Sequence, residues 1–348
     1  MKNLTRPDKN LQNRGRLAYI DMAKAAALAL MILFHHQGIQ NTLLQRIGTA
    51  FHMPIFFFLY GLASRGGEAA PTVRSLVFQC FKKLMIPYYL WMAIYINMRQ
   101  VSMKSILLII RGSNLSVQYA DGNAALWFLC AMFLAACVFG TVTFYGNKCF
   151  TAKERTGFYL LTVVAASFGS AILRQYPLLY GYPFNADVAL TGYAFIMLGN
   201  LAKPLFRKME KMSRLILGAC SLVLCAATFF LAQCNGIRTI MDLARYGNYI
   251  LFVLGGTVGS VAVAAGMLFL EKVLGKTSGL LAWFGRHSLF IFASHTITFN
   301  LLTQLYRYLS LPMPQTLGGQ CLYTVLTMIL CGIACKMAGR YVPALEGK

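Results

Sequence analysis

Residues 21–36 read DMAKAAALALMILFHH, an apolar run with an aspartate and a lysine near one end and two histidines at the other. On an α-helix, which turns by about 100° per residue, Asp21 and Lys24 share one face and His35 lies within about 20° of Lys24. His36 points about 100° away from His35. The run therefore predicts a membrane-spanning helix with one polar stripe, formed by Asp21, Lys24 and His35, that extends about 16 Å from Lys24 to His35.

The stripe has two interpretations. Ionisable side chains within a bilayer usually face the interior of a helix bundle or a hydrated cavity, where they mark a functional path. Alternatively, Asp21 and Lys24 form an ion pair at the cytoplasmic interface, while His35 and His36 lie in the outer headgroup region. Both interpretations are compatible with the stripe alone.

The composition indicates an integral membrane protein. Of the 348 residues, 58% are hydrophobic and 12% are charged, and the mean hydropathy is +0.59. These values exclude an ordinary soluble domain. The formal net charge is +22, but the basic residues lie between apolar runs rather than on a polar surface. Orientation in the lipid bilayer explains this charge, so we expect no nucleic-acid partner.

The ten cysteines lie nearly all within apolar segments and never form a CxxC pair. This pattern is typical of small buried apolar residues, and it indicates neither a disulfide framework nor a zinc site. We therefore expect no metal cofactor.

Hydropathy predicts ten membrane spans, because a spanning helix needs about 20 largely apolar residues. The predicted spans are residues 17–37, 46–65, 78–98, 124–145, 157–174, 187–204, 214–233, 247–269, 280–303 and 319–338. If the N-terminus is inside, the inside segments hold 23 lysines and arginines and the outside segments hold 8. Because positively charged loops stay cytoplasmic, this bias predicts that both termini are cytoplasmic.

The predicted fold is thus an all-α integral membrane protein, a bundle of about ten transmembrane helices in the cytoplasmic membrane. The basic stretch before the first span has no A-x-A-like cleavage site after it, so we expect a retained cytoplasmic tail. The expected organisation is an N-terminal tail over residues 1–16, one membrane domain over residues 17–340 and a C-terminal tail over residues 341–348.

Six fragments in order resemble membrane acyltransferase family 3. The first helix of that family carries an Asp, a basic residue three positions later and a His after ten more residues, which correspond here to Asp21, Lys24 and His35. The other fragments are FHMPIFFFLYGLASR (51–65), FKKLMIPYYLW (81–91), ALWFLCAMF (125–133), GYAFIMLGN (192–200) and LAWFGRHSLFIFASH (281–295). The second fragment is similar to the fucose-4-O-acetylase-like branch, although Tyr60 replaces the usual Ser.

The resemblance implies transfer of an acyl group, usually acetyl from cytoplasmic acetyl-CoA, to a hydroxyl of a cell-envelope carbohydrate or glycolipid. Such transfer needs a base, and histidine suits this role because its ordinary pKa is near 6.5. His35 is the first candidate base, and His295 is a second candidate site residue, about 13 Å into the membrane. Asp21 and Lys24 either stabilise the developing oxyanion or orient the donor. His52 is expected near the acceptor side.

CoA carries several phosphates, so its site should present cations on the cytoplasmic side. Arg74, Lys82 and Lys83 are the candidates for this contact. The positive-inside rule accounts for the same residues without any ligand.

A second function class stays open, because related membrane domains are found fused to amino-acid racemases. The alternative is a small-molecule transporter or a membrane sensing domain. If the protein is an acyltransferase, it either transfers the acyl group directly or relies on a separate extracytoplasmic partner.

Overall fold

The computed structural model describes residues 17–40, 42–69, 71–96, 102–119 and 122–348. Within these ranges the chain is helical, and extended segments meet only in an isolated antiparallel bridge between Ile240 and Arg245. The predicted tail over residues 1–16 lies outside the described residues.

The helices in the first third of the chain have at most 16 residues, and most of the later helices are longer. The short ones are α1 (Ala18–Leu33), α2 (Leu43–Thr49), α3 (Pro54–Ala63), α4 (Val73–Cys80), α5 (Ile86–Ile96), α6 (Met103–Arg111) and α7 (Asn114–Tyr119). The next are α8 (Trp127–Cys149), α9 (Ala152–Gln175), α10 (Ala186–Leu201), α11 (Lys203–Met209) and α12 (Arg214–Asn235). The last are α13 (Tyr249–Leu274), α14 (Gly279–Arg286), α15 (Ser288–Tyr308) and α16 (Leu317–Tyr341).

Five helical stretches among the described residues are long and apolar enough to cross a membrane. They are α8 with the turn before it, α9, α12, α13 continued through α14, and α16. A sixth arises if α10, with the turn before it, and α11, which are bent by 46° at their junction, count as one span. Six of the predicted spans coincide with these stretches, so the chain is an all-helical, multi-pass membrane protein.

The other four predicted spans fall on shorter or interrupted helices. The span at 17–37 contains the 16 residues of α1, and the span at 46–65 is divided between α2 and α3. The span at 78–98 includes only the end of α4 together with α5, and the span at 280–303 is divided between α14 and α15. A hydropathy average cannot detect these interruptions, because it depends on which residues are in the window and contains no information on their backbone geometry.

The interruption between α4 and α5 is caused by the proline at position 87. Pro87 has no N–H, and its ring clashes with the carbonyl four residues earlier, which is that of Lys83. Residues Phe81–Met85 form a π-helical turn, in which the Ile86 N–H donates to the Phe81 carbonyl. This wider turn carries Lys83, and such turns are frequent at functional sites.

Two glycines let neighbouring helices approach until their backbones touch. A Cβ atom on Gly61 of α3 would lie 1.8 Å from the carbonyl oxygen of Ile196 in α10. A Cβ atom on Gly285 of α14 would lie 1.7 Å from the carbonyl oxygen of Asp21 in α1. The helix that carries the polar stripe is therefore held in the bundle by direct backbone contact.

Candidate active site

His35 lies just beyond the end of α1, and its side chain is exposed within a cavity of the bundle. Its Nδ1 atom is 2.8 Å from the carbonyl oxygen of Met31. Because a carbonyl oxygen can only accept, Nδ1 carries the hydrogen in this contact and donates it. The Nε2 atom of the neutral ring then has a free lone pair, as a general base requires.

His295 lies next to His35 and is fully buried. Its Nδ1–H donates to the carbonyl oxygen of Phe292, and its Nε2 atom is 3.4 Å from the hydroxyl of Thr296. The two imidazole rings are 5.1 Å apart, centroid to centroid. The structure thus places two of the sequence-predicted site residues in direct contact, although they are 260 positions apart in the chain.

His36 has different surroundings from its neighbour His35. Its ring packs edge-on against Phe299 and Tyr323, at centroid distances of 5.1 Å and 5.0 Å. His36 is buried and does not line the cavity that exposes His35.

The cavity that exposes His35, here named the His35 cavity, has a volume of about 370 Å³. Loops at the α1 C-terminal end of the bundle supply most of its polar lining. These residues are His35, Gln40, Thr49, His52, Asn114, Trp127, Arg238, Thr239 and Asp242. Such a mixture of hydrogen-bonding side chains and one large aromatic ring suits a polar ligand rather than a lipid tail.

Hydrogen bonds fix the polar lining of the His35 cavity. The Arg238 guanidinium donates to the side-chain oxygen of Gln40 at 2.9 Å, and the Asn114 amide donates to the Asp242 carboxylate at 2.8 Å. Burial raises the pKa of Asp242 above its ordinary value, and the Asn114 hydrogen bond and the Arg238 charge oppose this shift. The side chains are therefore oriented before any ligand binds.

A second cavity of about 380 Å³, here named the Lys24 cavity, contains the other end of the stripe. Its polar lining consists of Lys24, Tyr60, Ser64, Lys83 and Ser288, and most of the rest is apolar. Lys24 Nζ is 3.4 Å from the carboxylate of Asp21, which is itself buried. The stripe is thus divided between two cavities, with Lys24 in one and His35 in the other.

The predicted phosphate-binding residues are placed differently from one another. Lys83 lines the Lys24 cavity, whereas Lys82 and Arg74 are exposed and do not line it. The Lys82 Nζ atom lies 4.6 Å from the centroid of the Phe78 ring. The structure therefore brings Lys83 together with Lys24, but not Lys82 or Arg74.

Phe292 lines both cavities, so its ring lies in the wall between them. The Lys24 cavity is bordered by the start of α1 and the end of α3, and the His35 cavity by the residues just after α1 and by loops. Lys24 and His35 are eleven positions apart, which at the helical rise is about 16 Å along the axis. The two cavities therefore lie toward opposite ends of α1 and meet at Phe292.

Sequence reasoning missed Gln40, Asn114, Arg238 and Asp242, because it used the loops between spans only as evidence for orientation. One signal was present: the chain has only 10 acidic residues, and Asp242 is one of them. An acidic residue within a loop of so basic a chain is a candidate for a specific contact.

Comparison with known families identifies a family that the chain matches. The model of a family described as an acyltransferase domain matches residues 17–336, nearly the whole chain. No curated protein matches the chain.

Proposed function

We propose that this chain, which belongs to acyltransferase family 3, transfers an acetyl group from acetyl-CoA to a hydroxyl of a cell-envelope carbohydrate. Family membership makes the protein a membrane acyltransferase. The donor, the acceptor and the residue roles that follow are parts of the proposal. The observation that carries them is the pair of cavities that meet at Phe292, with the His35 Nε2 lone pair on one side.

In the proposed reaction, His35 acts as the general base. Its Nε2 atom takes the proton of the acceptor hydroxyl while the hydroxyl oxygen forms a bond to the thioester carbonyl carbon. The carbon–sulfur bond then breaks, and the CoA thiolate takes the proton from the imidazolium. His35 is neutral again at the end, so the cycle needs no other reactant.

The donor is assigned to the Lys24 cavity. Lys83 and Lys24 supply positive charge for the CoA phosphates or their neighbouring polar groups, and the apolar wall suits the pantetheine arm. Because Lys24 is about 16 Å along the helix from His35, it cannot reach an oxyanion formed beside that histidine. Of its two predicted roles, the geometry favours orientation of the donor, with Asp21 holding the lysine in place.

The acceptor is assigned to the His35 cavity. Carbohydrates present many hydroxyls and a flat apolar face, which match the side chains of Gln40, Asn114, Arg238 and Asp242 and the ring of Trp127. The acceptor hydroxyl would reach His35 from this side, while the thioester reaches it past Phe292.

This assignment requires a defined orientation in the membrane. We propose that all ten predicted hydrophobic segments cross the cytoplasmic membrane and that both termini are cytoplasmic, so that the Lys24 cavity opens toward cytoplasmic acetyl-CoA. The 23-to-8 bias of basic residues supports this orientation. Residues 17–340 would then form one membrane domain. Membership of the fucose-4-O-acetylase-like branch of the family stays a prediction.

The proposal is tested by acetyl transfer in membranes from cells that express the wild-type protein or His35→Ala at matched levels. With radiolabelled acetyl-CoA as donor, we expect label in the envelope glycans of wild-type membranes and a loss of 10²-fold or more in His35→Ala, as for removal of a general base. His36→Gln is the matched control and should keep the label, because His36 lies outside the His35 cavity. Equal label in wild type and His35→Ala would contradict the assignment of the base. An absence of label, with uptake of a small solute into vesicles, would favour the transporter class instead.

A further inference from the structure

Three side chains with metal-binding atoms meet at the end of the bundle where α14 joins α15. His287 occupies that junction, Cys335 lies in the last turns of α16, and Glu346 ends a 3₁₀ turn over Pro343–Glu346. The Nδ1, Sγ and carboxylate oxygen atoms of these residues all lie within 4.8 Å of one another. None of the three takes part in the proposed acyl transfer.

The distances approach those of a tetrahedral zinc site. The Cys335 Sγ atom is 3.4 Å from His287 Nδ1 and 3.4 Å from Glu346 Oε1, and His287 Nδ1 is 2.7 Å from Glu346 Oε2. Zinc bonds to nitrogen, oxygen and sulfur of about 2.0–2.3 Å place tetrahedral ligand atoms roughly 3.4 Å apart. The two contacts of Cys335 already have this length. His287 is hydrogen-bonded to the other carboxylate oxygen, Oε2, so the Glu346 carboxylate would turn a single oxygen toward the ion.

The carboxylate is directed inward by the packing of the C-terminal turn. The side chain of Glu346 is only 5% exposed and that of His287 18% exposed. A Cβ atom at Gly339 would lie 2.1 Å from Glu346 Oε1, so a larger residue there would displace the carboxylate from its present position. The Trp91 indole N–H donates to the Leu345 carbonyl at 3.2 Å and fixes the turn from the other side.

We propose that His287, Cys335 and Glu346 bind one Zn²⁺ ion, with water as the fourth ligand. On binding, the Cys335 thiol releases its proton to solvent, the neutral His287 ring carries its hydrogen on Nε2 so that the Nδ1 lone pair faces the ion, and the ion takes the place of the hydrogen bonds that join the three residues. Lys348, whose ammonium contacts Glu346, is the competing cation and must move away.

The ion has a structural role in this proposal. It cross-links α16, the α14–α15 junction and the C-terminal turn, and Gly347 of that turn packs against the carbonyl of Lys83. The site therefore stabilises the border of the Lys24 cavity, which includes Lys83 and Ser288. The ligands are separated by 48 and 11 positions in the chain, which explains why no zinc motif is visible in the sequence.

The test uses full-length protein in detergent, stripped of metal by a chelator and titrated with Co²⁺. We expect a thiolate-to-cobalt absorbance band in the near ultraviolet that saturates at one ion per chain and disappears when Zn²⁺ is added. Cys335→Ser should lose the band, whereas Cys149→Ser, in which an exposed cysteine is removed, should keep it. The absence of the band from the wild-type protein, or a band of equal strength in Cys335→Ser, would overturn the proposal.

Two further variants keep the test valid if Cys335→Ser fails to fold. Glu346→Gln should weaken Co²⁺ binding by 10-fold or more, because it removes a charged ligand. Lys348→Gln should strengthen binding, because it removes the competing cation. An unchanged affinity in both variants would contradict the site, whatever the acyltransferase activity of the protein.

Discussion

The imidazole rings of His35 and His295 lie 5.1 Å apart and nearly perpendicular, at 79°. Each ring commits its Nδ1–H to a backbone carbonyl, that of Met31 for His35 and that of Phe292 for His295. In the proposed reaction His35 becomes positively charged when it accepts the substrate proton, and a neutral neighbour would avoid the repulsion that a second imidazolium causes. The pair thus consists of one exposed ring, that of His35, with the buried ring of His295 beside it.

His295 acts through His35 in this account, so it is a positioning residue. We expect His295→Gln to lower kcat by roughly 10-fold to 100-fold, because the His35 ring loses the wall that fixes its orientation. The KM values for donor and acceptor should stay close to those of the wild type. Steady-state kinetics on purified protein measure this difference, and a raised KM with an unchanged kcat would contradict the positioning role.

Lys83 should contribute to donor binding through charge. We expect Lys83→Ala to raise the KM for acetyl-CoA by about 10-fold, as for loss of one charged hydrogen bond. With acetyl-pantetheine, a donor that carries no phosphate, wild type and variant should have similar KM values. Lys148→Ala, at the end of α8, is the matched control for loss of one positive charge. An equal effect of Lys83→Ala on both donors would remove Lys83 from phosphate contact.

Arg238 should affect the acceptor and leave the donor unaffected. The guanidinium lines the His35 cavity and is held there by Gln40. We expect Arg238→Gln to raise the acceptor KM by about 10-fold or more, because a charged hydrogen-bond donor is lost. The KM for acetyl-CoA should not change. If the donor KM rises while the acceptor KM stays constant, the assignment of the two cavities is reversed.

The close contact between α14 and α1 should depend on glycine. We expect Gly285→Ala to destabilise the protein by about 1–3 kcal/mol, because the added Cβ overlaps the carbonyl of Asp21. Gly157→Ala is the matched control, since Gly157 lies within α9 with open space around it. That substitution should stabilise the helix by about 0.8–1.0 kcal/mol. Thermal unfolding in one detergent compares the two variants, and an equal shift would contradict the packing argument.

The sequence predicted those parts of the fold that depend on local hydropathy. Spans such as 157–174 and 214–233 were predicted within a few residues, because a bilayer requires about 20 apolar residues in succession. The interruptions at Phe81–Met85 and His287 depend on proline geometry and tertiary packing, which a hydropathy average does not contain.

The polar stripe was predictable because its residues lie on α1 or within two residues of its end. The stripe of Asp21, Lys24 and His35 follows from helical spacing alone. The division of this stripe between two cavities was not predictable, because it depends on Phe292, which comes from a helix far along the chain. Arg238 and Asp242 were missed because their loop was used only as evidence for orientation, and folding brings that loop to His35.

The central claim is that donor and acceptor enter from opposite faces and react beside His35. The most direct test places the purified protein in sealed vesicles of known orientation, with an acceptor glycan enclosed and radiolabelled acetyl-CoA outside. We predict label on the enclosed glycan when the Lys24 cavity faces outward, and no label with His35→Ala. Transfer that occurs only when glycan and acetyl-CoA are on the same side of the membrane would contradict the account.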